Sequence, residues 1–261
     1  MTKKLESRVA IITGSARGLG VALVEQFAAD GAAILLVDKN GENLPEVARR
    51  ARECGAPDTA HTAQDLSTEA GAAAVLDLAL RTWGKVDILV NNAGGGLIRP
   101  FLEHTAETLR ETIDRNLWTT IWCIRAVLPS MIERGYGRIV NISADSVRTG
   151  IWSHAGYNAA KGGVNGLTTG LAFEFARKGV TVNCVSPGGI LTPEIKEMLN
   201  PESEIYKKHR IVDVHTVLNQ IPIGRFVEMN EVAGLTAFLT YEESRAITGQ
   251  VYSINGGQWM M

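Results

Sequence analysis

Cysteine is scarce in this chain. Cys54, Cys123 and Cys184 are the only three among 261 residues, odd in number, irregular in spacing and without a CxxC pair. That argues against a disulfide framework or a zinc site and fits a reducing cytoplasm. The five histidines give no metal-ligand spacing either, with His209 and His215 six apart, so no metal is expected. There is no GxSxG elbow and no HExxH helix, which removes the commonest hydrolase and metalloprotease signatures. An excess of one charge is missing as well. The formal net charge is −2 with both signs interspersed, so no electrostatic footprint for nucleic acid is present. Arg49, Arg50 and Arg52 read as a solvated helix face. No apolar run is long enough to span a bilayer, and Met1-Thr2-Lys3-Lys4 leads straight into a strand without the apolar core of a signal peptide. A soluble, cytoplasmic protein with no membrane partner is expected. Repeats, low-complexity tracts and linkers are absent too, so residues 1–261 read as one domain.

What is present is a long α/β pattern. Hydrophobic residues make up 45% of the chain, enough for one substantial core. Short apolar runs read as strands at Val9-Ala10-Ile11-Ile12, Ala33-Ile34-Leu35-Leu36-Val37, Thr59 to Ala63, Val86-Asp87-Ile88-Leu89-Val90, Gly137 to Ser143, Val180 to Val185, and Gly249 to Ile254. Helical patterns separate them, including a long one from about Ala106 to Arg134 and a Gly- and Ala-rich one carrying Tyr157 to Lys178. Such alternation implies a doubly wound parallel sheet of about seven strands with helices on both faces, a Rossmann-like α/β domain binding ligands beyond the carboxyl ends of its strands. The stretch at about 189–226 is longer and more polar than the other connections, as a substrate lid would be.

Chemistry concentrates at a few positions. Thr13-Gly14-Ser15-Ala16-Arg17-Gly18-Leu19-Gly20 lies between the first strand and the first helix, where glycines admit a pyrophosphate and the helix N-terminus supplies amides. Asp38 stands at the end of the second strand, about 20 residues on, placed to bind both adenosine ribose hydroxyls. A 2′-phosphate roughly 4 Å from that carboxylate would be repelled by around 2 kcal/mol even in water, so NAD is expected rather than NADP, with Arg17 pulling the other way. The bland role for Asp38 is a turn acid ending a strand. Asp65 is either an acid near a helix N-cap or a partner of the adenine amino group. Asn91-Asn92-Ala93-Gly94-Gly95-Gly96 follows the fourth strand, with asparagines able to bridge strand ends. Tyr157-Asn158-Ala159-Ala160-Lys161 sets a phenol and an ammonium on one helix face. A phenol working near neutral pH must come down by roughly 3 units, about 4 kcal/mol. A fixed ammonium about 4 Å away could supply that at an effective dielectric of 20. The pair therefore reads as an acid/base unit for alcohol and carbonyl interconversion.

In this order, Gly14, Gly18 and Gly20, Asp38, Asn91 to Gly94, Asn116, Tyr157 with Lys161, and Pro187-Gly188 followed by Thr192 resemble the short-chain dehydrogenase/reductase family over essentially the whole chain. The resemblance implies that Gly14, Ser15, Arg17, Gly18, Leu19 and Gly20 hold the pyrophosphate and that Asp65 with Leu66 meets the adenine. Asn91 would lie by the adenosine half, with Asn92, Ala93 and Gly94 in the same cofactor-binding set. Pro187, Gly188, Ile190 and Thr192 would border the nicotinamide. Tyr157 would be the general acid/base, Lys161 would hold the ribose and lower the phenol's pKa, and Asn116 would anchor a water leading the proton to solvent. The family's long paired helices imply a homotetramer. One position departs from the pattern: the family's serine, thirteen residues before the tyrosine, is here Ala144. Ser143 is the favoured substitute and Ser146 the alternative; a site with no serine is the third case.

The Leu117 to Pro129 segment, Gly94-Gly95-Gly96, Lys161-Gly162-Gly163-Val164-Asn165 and Leu171-Ala172-Phe173-Glu174 further resemble dehydrogenases of aromatic-acid cis-dihydrodiols. That implies oxidation of a cyclic diol carboxylate by NAD to give a catechol, with loss of carbon dioxide for a benzoate dihydrodiol. Arg148, or Lys207-Lys208-His209-Arg210 in the lid, could meet the carboxylate. Two other readings remain: an NAD(P)H-dependent ketone or ketoacyl reductase, and a nucleotide-sensing protein that binds without catalysis.

Overall fold

The apolar run Val9–Thr13 forms β1, buried along its whole length. It opens a computed structural model that describes residues 3–200, 202–203 and 218–260. α1 (Leu19–Ala29), β2 (Ala33–Asp38), α2 (Leu44–Cys54) and β3 (Thr59–Ala63) complete the first half, with α3 (Glu69–Trp83) and β4 (Ile88–Asn91) after it. α4 (Ala106–Ile113), α5 (Thr119–Arg134), β5 (Gly137–Ile142), α6 (Ser146–Thr149), α7 (Ala155–Phe175) and β6 (Val180–Pro187) follow. α8 (Pro193–Leu199), α9 (Met229–Phe238) and β7 (Val251–Ile254) close the described chain. The seven strands make one parallel sheet in the order β3-β2-β1-β4-β5-β6-β7. The expected doubly wound, Rossmann-like architecture is therefore present.

Helices cover both faces. Phe27, Leu23 and Val47 bury one side of β1 and β2, while Val75, Ile124 and Met131 bury the other. Strands covered on both faces have no polar side to present, so they read as continuous apolar runs. The strand order reverses between β1 and β4, which opens a crevice at their carboxyl ends. The glycine turn and the Asn91 to Gly96 segment meet there.

Two local features differ from the sequence expectation. The single long helix expected from Ala106 to Arg134 is two, joined by a π-helical turn at Asp114–Trp118 that contains Asn116. The loop expected before Ser153 contains the short α6. Within the single chain, a Cβ at Gly163 of the glycine-rich α7 would fall 2.8 Å from Leu117, while Gly166 and Gly170 have no neighbour within 4 Å. Of the stretch expected to be a lid, α8 and the Ile190–Val227 bridge are described; Lys207 to Arg210 lie outside the described residues. The Arg49, Arg50 and Arg52 cluster is a helix face, as expected, with Arg49 paired to Glu46 and Glu53 and Arg50 to Glu25.

Candidate active site

The glycine turn is shaped by contact. Gly14 has φ +66°, a left-handed conformation that favours glycine, and a Cβ there would fall 2.8 Å from Ala93 Cα. Thr13 Oγ1 accepts the amides of Asn92 and Ala93, both at 3.0 Å, and Asn92 Nδ2 donates to the carbonyls of Thr13 and Gly14. The turn and the β4 segment are thus one unit, so Asn92 works partly as a brace. Thr13 was not singled out from the sequence, although its place between strand and glycine was the available signal. Ser15 is fully buried and its hydroxyl donates to Val37 O.

A cavity of about 1150 Å³ opens over this unit, lined by Gly14, Arg17, Gly18, Leu19, Gly20, Asp38, Asp65, Leu66, Asn92, Ala93, Gly94 and Thr192, among others. Its size suits a large ligand rather than a metabolite fragment. Asp38 accepts from Ala16 N and Asn40 N at 3.1 Å each, which fixes the carboxylate at the end of β2 and leaves further acceptor capacity. Asp65 is paired to Lys39 at 2.7 Å and accepts twice from Ser67; these hydrogen bonds bring its carboxyl down to about 2. It opens the turn before α3, whose cap is Thr68. Asn91 is different: its side chain is buried and donates to Asn141 Oδ1 at 2.8 Å, beneath the cavity rather than in it. Pro187 closes β6 with its carbonyl accepting Asp145 N, Gly188 N donates to Ile254 O, and Ile190 bridges Val227. Thr192 caps α8 through Ile195 N at 3.2 Å.

At Gly94, which lines the cavity, the segment after β4 meets the tyrosine helix. A Cβ at Gly94 would fall 2.6 Å from Asn116 Oδ1 and 3.4 Å from Lys161 Nζ, and one at Gly96 would fall 3.7 Å from the Tyr157 ring. Asn116 is 0% exposed. It grips Gly95, accepting from its N–H at 3.1 Å and donating to its carbonyl at 3.0 Å, and it also donates to Thr112 O. Its own carbonyl, in the widened turn, accepts from Thr120 Oγ1 at 3.0 Å. π-turns of this kind are often found at functional sites because they re-aim a side chain without ending the helix. Asn116 holds the loop over which Lys161 lies.

Lys161 is 4% exposed, and its ammonium donates to Ile142 O at 2.8 Å. Burial brings its pKa down to about 8. Tyr157 is raised rather than lowered, to about 12, also by burial. Burial thus opposes the lowering expected from Lys161. The ammonium sits 5.9 Å from the ring centroid and is committed to a carbonyl, so desolvation of the phenolate outweighs its field. Among the described residues the Tyr157 hydroxyl has no hydrogen-bond partner.

Both candidate serines bond to α7. Ser143 is 4% exposed and donates to the Lys161 carbonyl at 3.2 Å, so it seats the helix from below. Ser146 donates to Asn158 Oδ1 at 2.6 Å. Both hydroxyls are engaged within the protein. Arg148, suggested as a carboxylate partner, donates instead to Ser253 Oγ and Val251 O.

A glycine turn under a dinucleotide-sized crevice, ending at a tyrosine and a lysine on one helix face, defines an oxidoreductase of the nucleotide-binding α/β class. The family model described as enoyl-(acyl carrier protein) reductase matches residues 14–258. Among curated proteins, a 2,3-dihydroxy-2,3-dihydro-p-cumate dehydrogenase of Pseudomonas putida is 49% identical over 98% of this chain and 96% of its own. A 1,6-dihydroxycyclohexa-2,4-diene-1-carboxylate dehydrogenase of Acinetobacter baylyi is 36% identical over 98% of each. The crystal structure of an NAD+-bound xylitol dehydrogenase superposes with a TM-score of 0.89 at 28% identity, covering 98% of this chain and 100% of that one. The chain belongs to the short-chain dehydrogenase/reductase family.

Proposed function

We propose that this enzyme oxidises a cis-dihydrodiol of an aromatic carboxylic acid with NAD+, giving a catechol. The observation that carries the reading is the meeting, at Gly94, of the dinucleotide-sized cavity with Lys161 and Asn116, with Tyr157 packed beside the same loop at Gly96. The two dihydrodiol dehydrogenases of similar sequence support the substrate class, and the NAD+-bound neighbour supports the cofactor.

The residues fit that cofactor. Gly14 leaves no room for a side chain where a pyrophosphate would cross, and Asp38 keeps acceptor capacity for ribose hydroxyls. When bound, NAD+ supplies the hydride acceptor. Tyr157 Oη removes the proton of the reacting hydroxyl as the carbinol carbon gives up hydride, and the ring ketone enolises to the catechol. Bringing Tyr157 from about 12 to neutrality asks for about 7 kcal/mol. A positive charge about 4 to 6 Å from the phenolate, such as an oxidised nicotinamide when bound, would supply about 3–4 kcal/mol of that.

Ring chemistry separates two products. A 2,3-diol keeps its carboxylate, whereas a diol whose carbinol carbon bears the carboxylate loses carbon dioxide on oxidation. The 49% relative favours the first. Incubation of the purified enzyme with dihydrodiol acids and NAD+ should produce NADH and a catechol in equal amounts. Faster turnover of a ketoacyl thioester than of any diol would sink the reading.

The working form is inferred to be a cytoplasmic homotetramer of single-domain subunits, with residues 189–226 as the substrate lid. The three cysteines are unpaired, and no helix among the described residues is long and apolar enough to cross a membrane. An apolar groove between α5 and α7, lined by Ile121, Ile124, Leu128, Leu167 and Leu171, supports subunit pairing, with Phe173 93% exposed on α7.

A further inference from the structure

The loss of the family's serine leaves a chemical question. Ala144 has no hydroxyl, Ser143 is bonded to the Lys161 carbonyl and Ser146 to Asn158. The substrate oxygens still need a polar partner besides Tyr157. The turn just before α7 holds one.

His154 stands three residues before Tyr157, and the two rings meet edge to face, with centroids 6.1 Å apart and an interplanar angle of 76°. Its Nδ1 lies 2.8 Å from the Trp152 carbonyl. A carbonyl only accepts, so Nδ1 donates and Nε2 is the ring nitrogen left to accept. Among the described residues Nε2 has no partner. The residue before it, Ser153, has φ +67°, a left-handed conformation that is costly for a side chain with a Cβ, and its hydroxyl is buried without a partner. Strain of this sort, beside a catalytic residue, points to a geometry that is held for use.

We propose that His154 is a substrate-contacting specificity residue whose Nε2 accepts a hydrogen bond from the second, non-reacting hydroxyl of the cis-diol. The proposal rests on the dihydrodiol reading given above. In a vicinal cis-diol the two oxygens lie on neighbouring carbons and the same ring face, so an acceptor adjoining Tyr157 engages one while Tyr157 deprotonates the other. That pairing selects which carbon is oxidised and discriminates against simple alcohols. Ser153 aims the imidazole through its backbone.

The test compares the wild type with His154→Phe, which keeps the ring contact and deletes the acceptor, and His154→Gln, which restores one. The substrates are a dihydrodiol acid and the corresponding mono-alcohol without the second hydroxyl. His154→Phe should lose about tenfold in kcat/KM on the diol, mostly through KM, as expected for one neutral hydrogen bond. The mono-alcohol should be unaffected, and His154→Gln should recover part of the preference. Equal losses on both substrates, or no loss on either, would overturn the role of His154 while leaving the dihydrodiol reading intact. A wild-type enzyme inert toward every cis-diol would overturn that reading and this inference together.

Discussion

Replacing Lys161 by methionine separates the electrostatic role of the ammonium from its structural one. Its nitrogen lies 5.9 Å from the centroid of the Tyr157 ring. At that range and an effective dielectric of about 20, one charge is worth about 3 kcal/mol to a phenolate, or about 2 pH units. The acid limb of kcat against pH in the oxidative direction should therefore move up by about 2 units, with turnover on the limb falling about 100-fold. Stability should behave otherwise. Burial depresses the Lys161 pKa from 10.5 to about 8. Between those values the unfolded chain binds the extra proton, so native stability rises with pH, and below about 8 the full cost of about 3 kcal/mol is present. Methionine removes that cost but strips the Ile142 carbonyl of its donor, a loss of about 1–3 kcal/mol. The two nearly cancel, so Tm at neutral pH should stay within about 5 °C of the wild type, and the wild type's gain in stability from pH 8 to 10.5 should vanish in the variant. Stopped-flow turnover at saturating NAD+ across pH, beside calorimetry, reads both. An acid limb that does not move would refute the electrostatic account.

Tyr157→Phe should cut kcat by about 10²–10⁴ while fluorescence titration shows NADH affinity within about threefold of the wild type; substantial residual turnover would remove Tyr157 from its role. Asp38→Asn removes a carboxylate whose repulsion of a 2′-phosphate is about 2 kcal/mol even in water at ~4 Å. It should raise kcat/KM for NADP by at least about tenfold, and an unchanged preference would mean Asp38 only ties the turn. Ser143→Ala deletes the bond to the Lys161 carbonyl and should cost about 1 kcal/mol in urea unfolding with kcat reduced less than about tenfold; a thousandfold loss would put its hydroxyl back on the substrate.

The parts of the molecule that were legible in the sequence share a cause. Buried strands must be apolar on both faces, so β1, β2 and β6 announce themselves, and close backbone approach demands glycine, so Gly14 does too. What stayed hidden depends on direction and distance. The π-turn at Asn116 keeps helical dihedrals on both sides and therefore leaves no break in the apolar pattern. The partners of Arg148 lie 105 and 103 residues away, beyond any local rule. Strand parity already set Ser143 on the face opposite Ala144, and the structure turns that face toward α7. The raised pKa of Tyr157 comes from burial under neighbouring elements, which spacing alone cannot weigh.

The underside of α7 shows why that helix can hold chemistry. Where it crosses the sheet it meets polar side chains: Asn91 Nδ2 donates to Asn141 Oδ1, Asn141 Nδ2 to Thr168 Oγ1 at 2.9 Å, and Thr168 Oγ1 to Val164 O at 2.8 Å. Cys184 and Asn165 add a further contact at 3.5 Å. An apolar seam tolerates repacking. A polar one does not, because a slip of one residue rotates the helix by about 100° and orphans several buried groups at about 1–3 kcal/mol each. The register that keeps Tyr157 and Lys161 beside the Gly94 to Gly96 loop is thus enforced from below. Thr168→Val keeps the shape but leaves Asn141 Nδ2 without an acceptor, so it should cost about 1–3 kcal/mol of stability. It should also broaden the dynamics of α7, seen as faster amide exchange around Tyr157 than in a variant equally destabilised in α2. Equal exchange in the two would mean the seam stabilises the fold without fixing the helix.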